Sequence, residues 1–515
     1  MNGRILGAVL AVMMIALLAV PVIARRGEPT APADAATVII VTPNNEQIRM
    51  EFAEAFSRWH KAKFGTPAQV IWNMPGGATE IRKMLEASTI AALREGTPPG
   101  GSADLLFGGG SYDFEQMAKP LTTEVNGEVR SSTVLVPVEF DQAWLDAVYG
   151  ENSIAGRTLY DPHLAWFGTA LSAFGIVYNT EMLDRMGIDA PKDWAALADP
   201  RLQNQVSLVN PAQSGSIASA METILLREGW QRGWAILRRA AGNARSIAAG
   251  GPRTPMDVSQ GEAAEGLCID FYGRYQQQVV ADSGSPGRVG YIDPVGKTAI
   301  DPDPVAMLRG APHPQTARRF IEFVLSPEGQ RLWQYPAGSK DGPRHFSLRR
   351  LPISRAVYAS DLPRFVDKVD PWTLAQEIPD ANPNFRAFVA PLFVAMAIEN
   401  RSLLREAWAR IAAHPEYPRD GRLLMAADAK DASLRAMLEA FDAMPVVPGP
   451  NGTMLDLADE ASLPLVRDGW IRGKWKEFGL WGVHDSPTDA LRRVMTEACE
   501  ANFRRVLEIS RSNAQ

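Results

Sequence analysis

Residues 166–183 read WFGTALSAFGIVYNTEML, an apolar run punctuated by Gly168 and Gly175 that ends in Val177-Tyr178-Asn179 and opens a helix. Such a run suits a buried strand that leaves one lobe and enters another, with its two glycines expected to bend the chain at the ends of β-rich stretches. It falls between two glycine- and serine-rich turns, PGGAT at 75–79 and PAQSGS at 211–216, each immediately ahead of an amphipathic helix. The pattern predicts two lobes joined by a hinge, each aiming a helix N-terminus.

On the N-terminal side the elements alternate. Val38-Ile39-Ile40-Val41 reads as a buried strand closed by the turn Pro43-Asn44-Asn45, and residues 46–63 place Ile48, Phe52, Phe56 and Trp59 on one helical face. Gln69–Trp72 reads as a second strand, Ile81, Met84 and Leu85 as a helix face, and Ala103–Phe107 as a third strand running into Gly108-Gly109-Gly110. This order implies a parallel α/β sheet. Ligands of open α/β sheets sit beyond the carboxyl ends of the strands. The candidate site residues of this half are therefore Asn44, Gly76, Gly77, Thr79, Gly109 and Gly110, in loops where glycines let backbone amides approach a ligand.

The middle of the chain repeats the alternation. Val206–Val209 is a strand, and Ile217, Met221, Ile224 and Leu225 are the apolar face of a helix capped by Ser214 or Ser216. Gly266–Asp270 reads as a further strand that delivers Asp270, Tyr272 and Arg274 to its end. The stretch GYIDPVGKTAIDPDPVAMLRG at 290–310 returns the chain to the first lobe, ahead of a helix at 315–325 and another capped by Ser326 with Pro327 at its first position. Two crossings between lobes make a hinged cleft that closes on a small ligand. Ser214, Gly215, Ser216, Asp270, Tyr272, Arg274 and Asp301 join the candidate binding set.

Bulk properties narrow the partners. The 515 residues carry a net charge of −6 with acids and bases interspersed, which gives no clustered basic field for nucleic acid. Cys268 and Cys499 read as buried thiols rather than a disulfide framework. The six histidines are scattered without a pair at ligand spacing, so no metal site and no cofactor is expected. Arg4, the apolar run Ile5–Ala24 and Arg25-Arg26 form a signal peptide or an N-terminal membrane anchor, followed by a Pro/Ala-rich linker to residue 36.

Several stretches resemble the periplasmic solute-binding proteins of ABC importers, in the iron(III)-type and related anion-binding branch of extracellular solute-binding family 1. The carriers are ADLLFGGG at 103–110, GIVYNTEML at 175–183, NPAQSGS at 210–216, GEAAEGLCIDFYGRY at 261–275 and AIDPDPVAMLRGAPHPQTARRFIEFVLSPEGQ at 299–330. The resemblance covers about residues 37–360 and implies a two-lobed fold of the type II periplasmic-binding-protein kind. It implies capture of a small anionic solute outside the cytoplasmic membrane and delivery to ABC permease subunits by a monomer that performs no chemistry. Iron-binding members use two adjacent tyrosines; the matching positions are Phe271 and Tyr272, so one phenol is absent and an organic anion is favoured over a ferric ion with a synergistic anion. A phosphonate, a phosphorylated metabolite and a carboxylate remain open.

The expected organisation is a leader over 1–36, a first lobe over 37–165 and 300–360, a second lobe over 166–299, and a mostly helical extension over 361–515. In the extension Phe385, Phe388, Val389, Leu392, Leu403, Leu404, Trp408 and Ile411 follow helical spacing, as do Leu434, Met437, Leu438 and Phe441, then Leu491, Val494, Met495 and Phe503. Trp470, Trp475 and Trp481 read as core packing or as a face for a partner such as a permease. Two alternatives stand beside transport. One is a membrane-tethered ligand sensor using the same clamp. The other is a phosphotransferase at Asp301 and Asp303, whose spacing formally matches an aspartate-x-aspartate-x-valine motif.

Overall fold

The computed structural model describes residues 35–374, 376–377, 385–448, 454–465 and 487–512. The apolar leader, Trp470, Trp475 and Trp481 lie outside the described residues. Among the described residues no helix is long and apolar enough to cross a membrane.

The first three strands, β1 (Ala36–Val41), β2 (Ala68–Asn73) and β3 (Leu105–Phe107), are parallel, with β1 between the others, as the alternation predicts. A hairpin of β4 (Leu121–Val125) and β5 (Glu128–Ser132) and the short β6 (Leu135–Val136) follow. Then comes β7 (Phe167–Asn179), buried almost throughout and capped at its far end by Asn179, whose side chain accepts from Met182 N as the next helix starts. Beyond it lie β8 (Val206–Val209), β9 (Ala244–Ala248), β10 (Glu265–Ile269), β11 (Val289–Ile292), β12 (Ile300–Leu308) and β13 (Leu351–Pro352). They join one 11-stranded sheet with the path β2-β1-β3-β12-β7-β10-β8-β9.

β7 carries the architecture. Its first half pairs with β12 and β13, and its second half pairs with β10 and β11, all antiparallel. The two lobes are thus strung on one strand, with β12 bringing the chain back beside it. Gly168 and Gly175 do not bend it: both are strand residues outside the left-handed region. Their missing Cβ serves close approach instead. A Cβ on Gly175 would stand 1.9 Å from Ile292 O, and one on Gly168 2.6 Å from Leu159 O.

Two cores flank the sheet. In the first lobe the helix Glu46–Phe64 lays Phe52 and Phe56 against Trp333 and Phe320, with ring centroids 4.4 and 5.1 Å apart. The second lobe shares its core with the C-terminal helices. Trp230 meets Phe385 and Phe388 at 4.7 and 5.7 Å, and Phe441 packs between Trp408 and Phe503. Arg238 and Arg239, both fully buried, converge on Asp442 at 3.2 and 2.8 Å across the same junction. The residues expected on helical faces of the extension are buried, Leu403 and Val494 partly so. Cys268 and Cys499 are free and buried.

Glu265 opens β10 with no exposure, and neither carboxylate oxygen has a partner among the described residues. Burial, with Asp199 nearby, pushes its carboxyl up from 4.5 to about 8. Between those values the folded protein holds a proton that the unfolded chain has released, so stability falls as pH rises through that window. Glu265→Gln is expected to flatten this fall, stabilising the protein at a pH of about 8.5 and changing little at about 5. Urea denaturation at both pH values tests it; an unchanged pH slope would refute the assignment.

Candidate functional site

A cavity of about 360 Å³ opens between the lobes. Eight of the sequence-predicted residues line it: Asn44, Gly76, Gly77, Gly109, Ser214, Gly215, Ser216 and Tyr272. On the first lobe, Thr42 Oγ1 and Asn44 Nδ2 both donate to Phe107 O, at 2.6 and 3.2 Å, tying the loops after β1 and β3 together. Gly108 and Gly109 have positive φ, and a Cβ on Gly108 would stand 2.5 Å from Asn44 Nδ2. The glycines there serve this tight packing as well as access.

The two helix N-termini of the cavity differ in what they offer. At the first, Gly77 N donates to Glu80 Oε2 at 3.1 Å, so the helix Ala78–Glu95 carries its own carboxylate at its positive end. At the second, Ser214 Oγ accepts from Ile217 N at 3.4 Å and Ser214 O accepts from Ala218 N at 3.0 Å. That leaves the N–H groups of Gly215 and Ser216 without an acceptor among the described residues. Both helices thus keep first-turn N–H groups without an acceptor among the described residues, and the helix Gly215–Glu228 does so with no acidic residue of its own in that turn. Its start is pressed against the first lobe, since a Cβ on Gly215 would come within 2.9 Å of Asp113 Oδ2. Gly250 and Gly251 line the same space.

Arg350, Asp303 and Phe271 complete the wall. Arg350 is 5% exposed, pairs with Asp303 Oδ2 at 3.0 Å and stands 4.0 Å over the Phe271 ring. Its Nε has no partner among the described residues. Arg349, at φ +58, sends its guanidinium to Asp367 and Arg274 O, while its neighbour Arg350 lies against the cavity. Ser172 Oγ donates to Asp303, whose carboxyl burial pushes upward and Arg350 pulls back. Burial likewise raises the Tyr272 phenol, which keeps it protonated at neutral pH.

Five expected residues lie off the cavity, each for an identifiable reason. Asp270 and Arg274 sit four residues apart on one face of the helix Asp270–Asp282, where they pair at 3.0 Å behind the Phe271–Tyr272 wall. Arg274 also meets Asp293, and Tyr291 OH donates to Asp293 Oδ1 at 2.9 Å. Asp301 accepts from Ser111 Oγ at 2.7 Å and Ser111 N at 3.3 Å, capping the helix Ser111–Ala118 whose N-cap is Gly110. Thr79 donates to Asp113, itself held by Arg82 at 2.7 Å. With Asp301 bound to Ser111, and Asp303 to Ser172 and Arg350, both carboxylates of the aspartate-x-aspartate motif are engaged.

Sequence reading missed Arg350. The one local signal was the basic pair Arg349-Arg350 ahead of a strand, and only the left-handed turn at Arg349 separates their roles.

A two-lobed clamp on continuous strands, closing over a cavity of backbone amides, is the architecture of the type II periplasmic binding proteins. The solved structure of the periplasmic binding protein P5PA has this fold, with a TM-score of 0.50 and 16% identity over 72% of this chain and 98% of that one. The periplasmic binding protein AfuA of Actinobacillus pleuropneumoniae, solved with fructose-6-phosphate bound, aligns with a TM-score of 0.48 and 17% identity over 72% and 97%. Residues 131–339 match the family of bacterial extracellular solute-binding proteins. Among curated relatives, the phosphoglycerate transport regulatory protein PgtC of Salmonella typhimurium is 30% identical over 190 residues, 35% of this chain and 46% of that protein. The match thus spans about half the length of that relative.

Removing the Arg350 guanidinium would strand the buried Asp303 carboxylate. Arg350→Ala is expected to destabilise the protein by about 3 kcal/mol at neutral pH. Arg350→Ala with Asp303→Asn should recover part of that loss, and calorimetric melting of the three proteins checks it; equal losses in the single and double variants would show the pair to be unimportant.

Proposed function

We propose that this solute-binding protein captures a small organic phosphate in the inter-lobe cavity, outside the cytoplasmic membrane, and delivers it to ABC permease subunits without turning it over. The observation that carries the reading is that a helix N-terminus at Gly215-Ser216 and the buried guanidinium of Arg350 line the same cavity. Backbone donors suit a protein of net charge −6, because the local N–H groups rather than the overall field would hold the anion. A cavity of about 360 Å³ leaves room for a phosphorylated three-carbon acid, the class that the name of the Salmonella relative points to. Ferric ion is disfavoured as cargo, because Phe271 stands where a second phenol would be needed beside Tyr272.

The test is a thermal-shift series with 3-phosphoglycerate, inorganic phosphate and ferric citrate. A ligand present at 100 times its dissociation constant adds about 2.7 kcal/mol, a readily measured rise in Tm. The expected order places 3-phosphoglycerate first and ferric citrate without effect. A largest shift from ferric citrate would overturn the reading.

The word regulatory in that relative's name favours a second use of the same clamp, ligand sensing. Deleting the gene in a strain that expresses the permease from a constitutive promoter separates the two. Delivery expects uptake of the solute to be lost; sensing expects it to persist.

A further inference from the structure

The C-terminal helices share the core of the second lobe, yet one of their side chains reaches the first. Arg386, at the start of the helix Phe385–Phe393, has a side chain only 10% exposed. Its Nη1 donates to Ser219 Oγ at 3.1 Å and its Nη2 to Gly215 O at 3.2 Å, with Glu222 at 3.7 Å. All three partners belong to the helix whose N-terminus walls the cavity. The same guanidinium lies 4.7 Å from the ring centroid of Tyr112, on the first-lobe helix Ser111–Ala118.

Because Phe385 and Phe388 anchor this segment on Trp230, Arg386 travels with the second lobe. Tyr112 travels with the first. Their contact exists only while the lobes stand close, so it favours the closed arrangement over the open one. Other contacts cross between the lobes: Gln47 Nε2 to Tyr275 OH at 2.9 Å, Arg157 to Glu222 at 3.5 Å with the arginine 36% exposed, Arg349 Nη1 to Arg274 O at 2.6 Å, and Arg350 4.0 Å over the Phe271 ring. The first is neutral and the second sits at a solvated rim, where an ion pair contributes little. The last two lie beside β13, which pairs with β7, whereas the Arg386 contact is a buried cationic one that also touches Gly215, the first residue of the helix Gly215–Glu228.

We propose that Arg386 is a positioning residue for the solute site: it latches the C-terminal helices to Tyr112 and so sets how readily the cleft closes. In a two-lobed binder, apparent affinity scales with the fraction of molecules in the binding-competent arrangement. The extension would then tune affinity without touching the solute. This rests on the solute-binding reading above, but its primary test needs no ligand.

Spin labels at Lys83→Cys and Gln278→Cys, both exposed and on opposite lobes, report the inter-lobe distance in the full-length protein; the two native cysteines are buried. In the ligand-free protein, Arg386→Met is expected to move the distance distribution toward longer values. Tyr112→Ala should do the same, and the double variant should do no more than either single one. Arg386→Lys should restore part of the short population. An unchanged distribution in Arg386→Met, or additive shifts in the double variant, would overturn the latch, the latter by showing that the two residues act separately. With 3-phosphoglycerate as the probe, Arg386→Met is expected to weaken binding about tenfold. Should the wild type bind no 3-phosphoglycerate while the distances still shift, the latch stands and the choice of solute falls.

Discussion

Every other feature of the molecule depends on β7 being shared. One strand pairs with β12 and β13 along its first half and with β10 and β11 along its second, so each lobe borrows an edge of the same buried backbone. A strand buried on both faces must be mostly apolar, with its few polar side chains, here Thr169, Ser172 and Asn179, hydrogen-bonded inside, and must find its backbone hydrogen bonds in its neighbours. That explains the run from Phe167 to Asn179, and it explains why the glycines are there. At Gly168 and Gly175 the neighbouring chain lies where a Cβ would be, so a substituted strand would push Ile292 or Leu159 away from it. The hinge is narrow because it is a ladder of strands rather than a loop. The strands β7 and β12 are therefore the continuous backbone that joins the two helix N-termini.

The site inherits its chemistry from that geometry. Most of its donors are backbone amides at the ends of elements, while its charged side chains are already matched: Arg350 with Asp303, and Glu80 with the first turn of its own helix. A cavity built this way costs little to leave unliganded, because no isolated charge is buried in it. It also sets what the proposed anion would meet. At Gly215-Ser216 it would find free N–H groups, at Arg350 it would share a guanidinium with Asp303, and at Gly77 it would face the Glu80 carboxylate. Three unequal contacts would discriminate by shape as well as by charge, which a single strong cation does not.

How far the sequence foretold this varies with the range of the interaction. The β1–β3 alternation, the Ser214 and Ser326 caps and the buried faces of the C-terminal helices were legible because period and cap chemistry are local. The two β7 glycines illustrate the opposite. Tolerance of positive φ and the absence of a Cβ are the same letter, and only the neighbouring strand tells which is in use. Asp270, Tyr272 and Arg274 were correctly brought to a strand end, but the helix begins at Asp270, so residues 270 and 274 share one face while 272 points elsewhere. An i,i+4 carboxylate and guanidinium then pair with each other rather than with a ligand. Arg350 was invisible for a related reason: its value comes from Asp303 and Phe271, which lie far away in sequence and meet it only when β12 and β13 flank β7.

The C-terminal helices add a constraint that a two-lobed clamp alone does not need. They deepen the second lobe's core through Trp230, Trp408 and Phe441, and they bury two arginines on one aspartate at the junction. Detaching them would expose an apolar face and leave buried guanidinium groups unpaired, so they cannot act as a loosely tethered appendage. A rigid addition to one lobe can influence the other only across the cleft. Arg386 is placed where that influence would be felt most, on the helix that begins at Gly215, because a small rotation there changes both the distance to Tyr112 and the aim of the free N–H groups. Closure and recognition are therefore coupled through a single helix, and an element far from the solute in sequence gains a mechanical hold on its affinity.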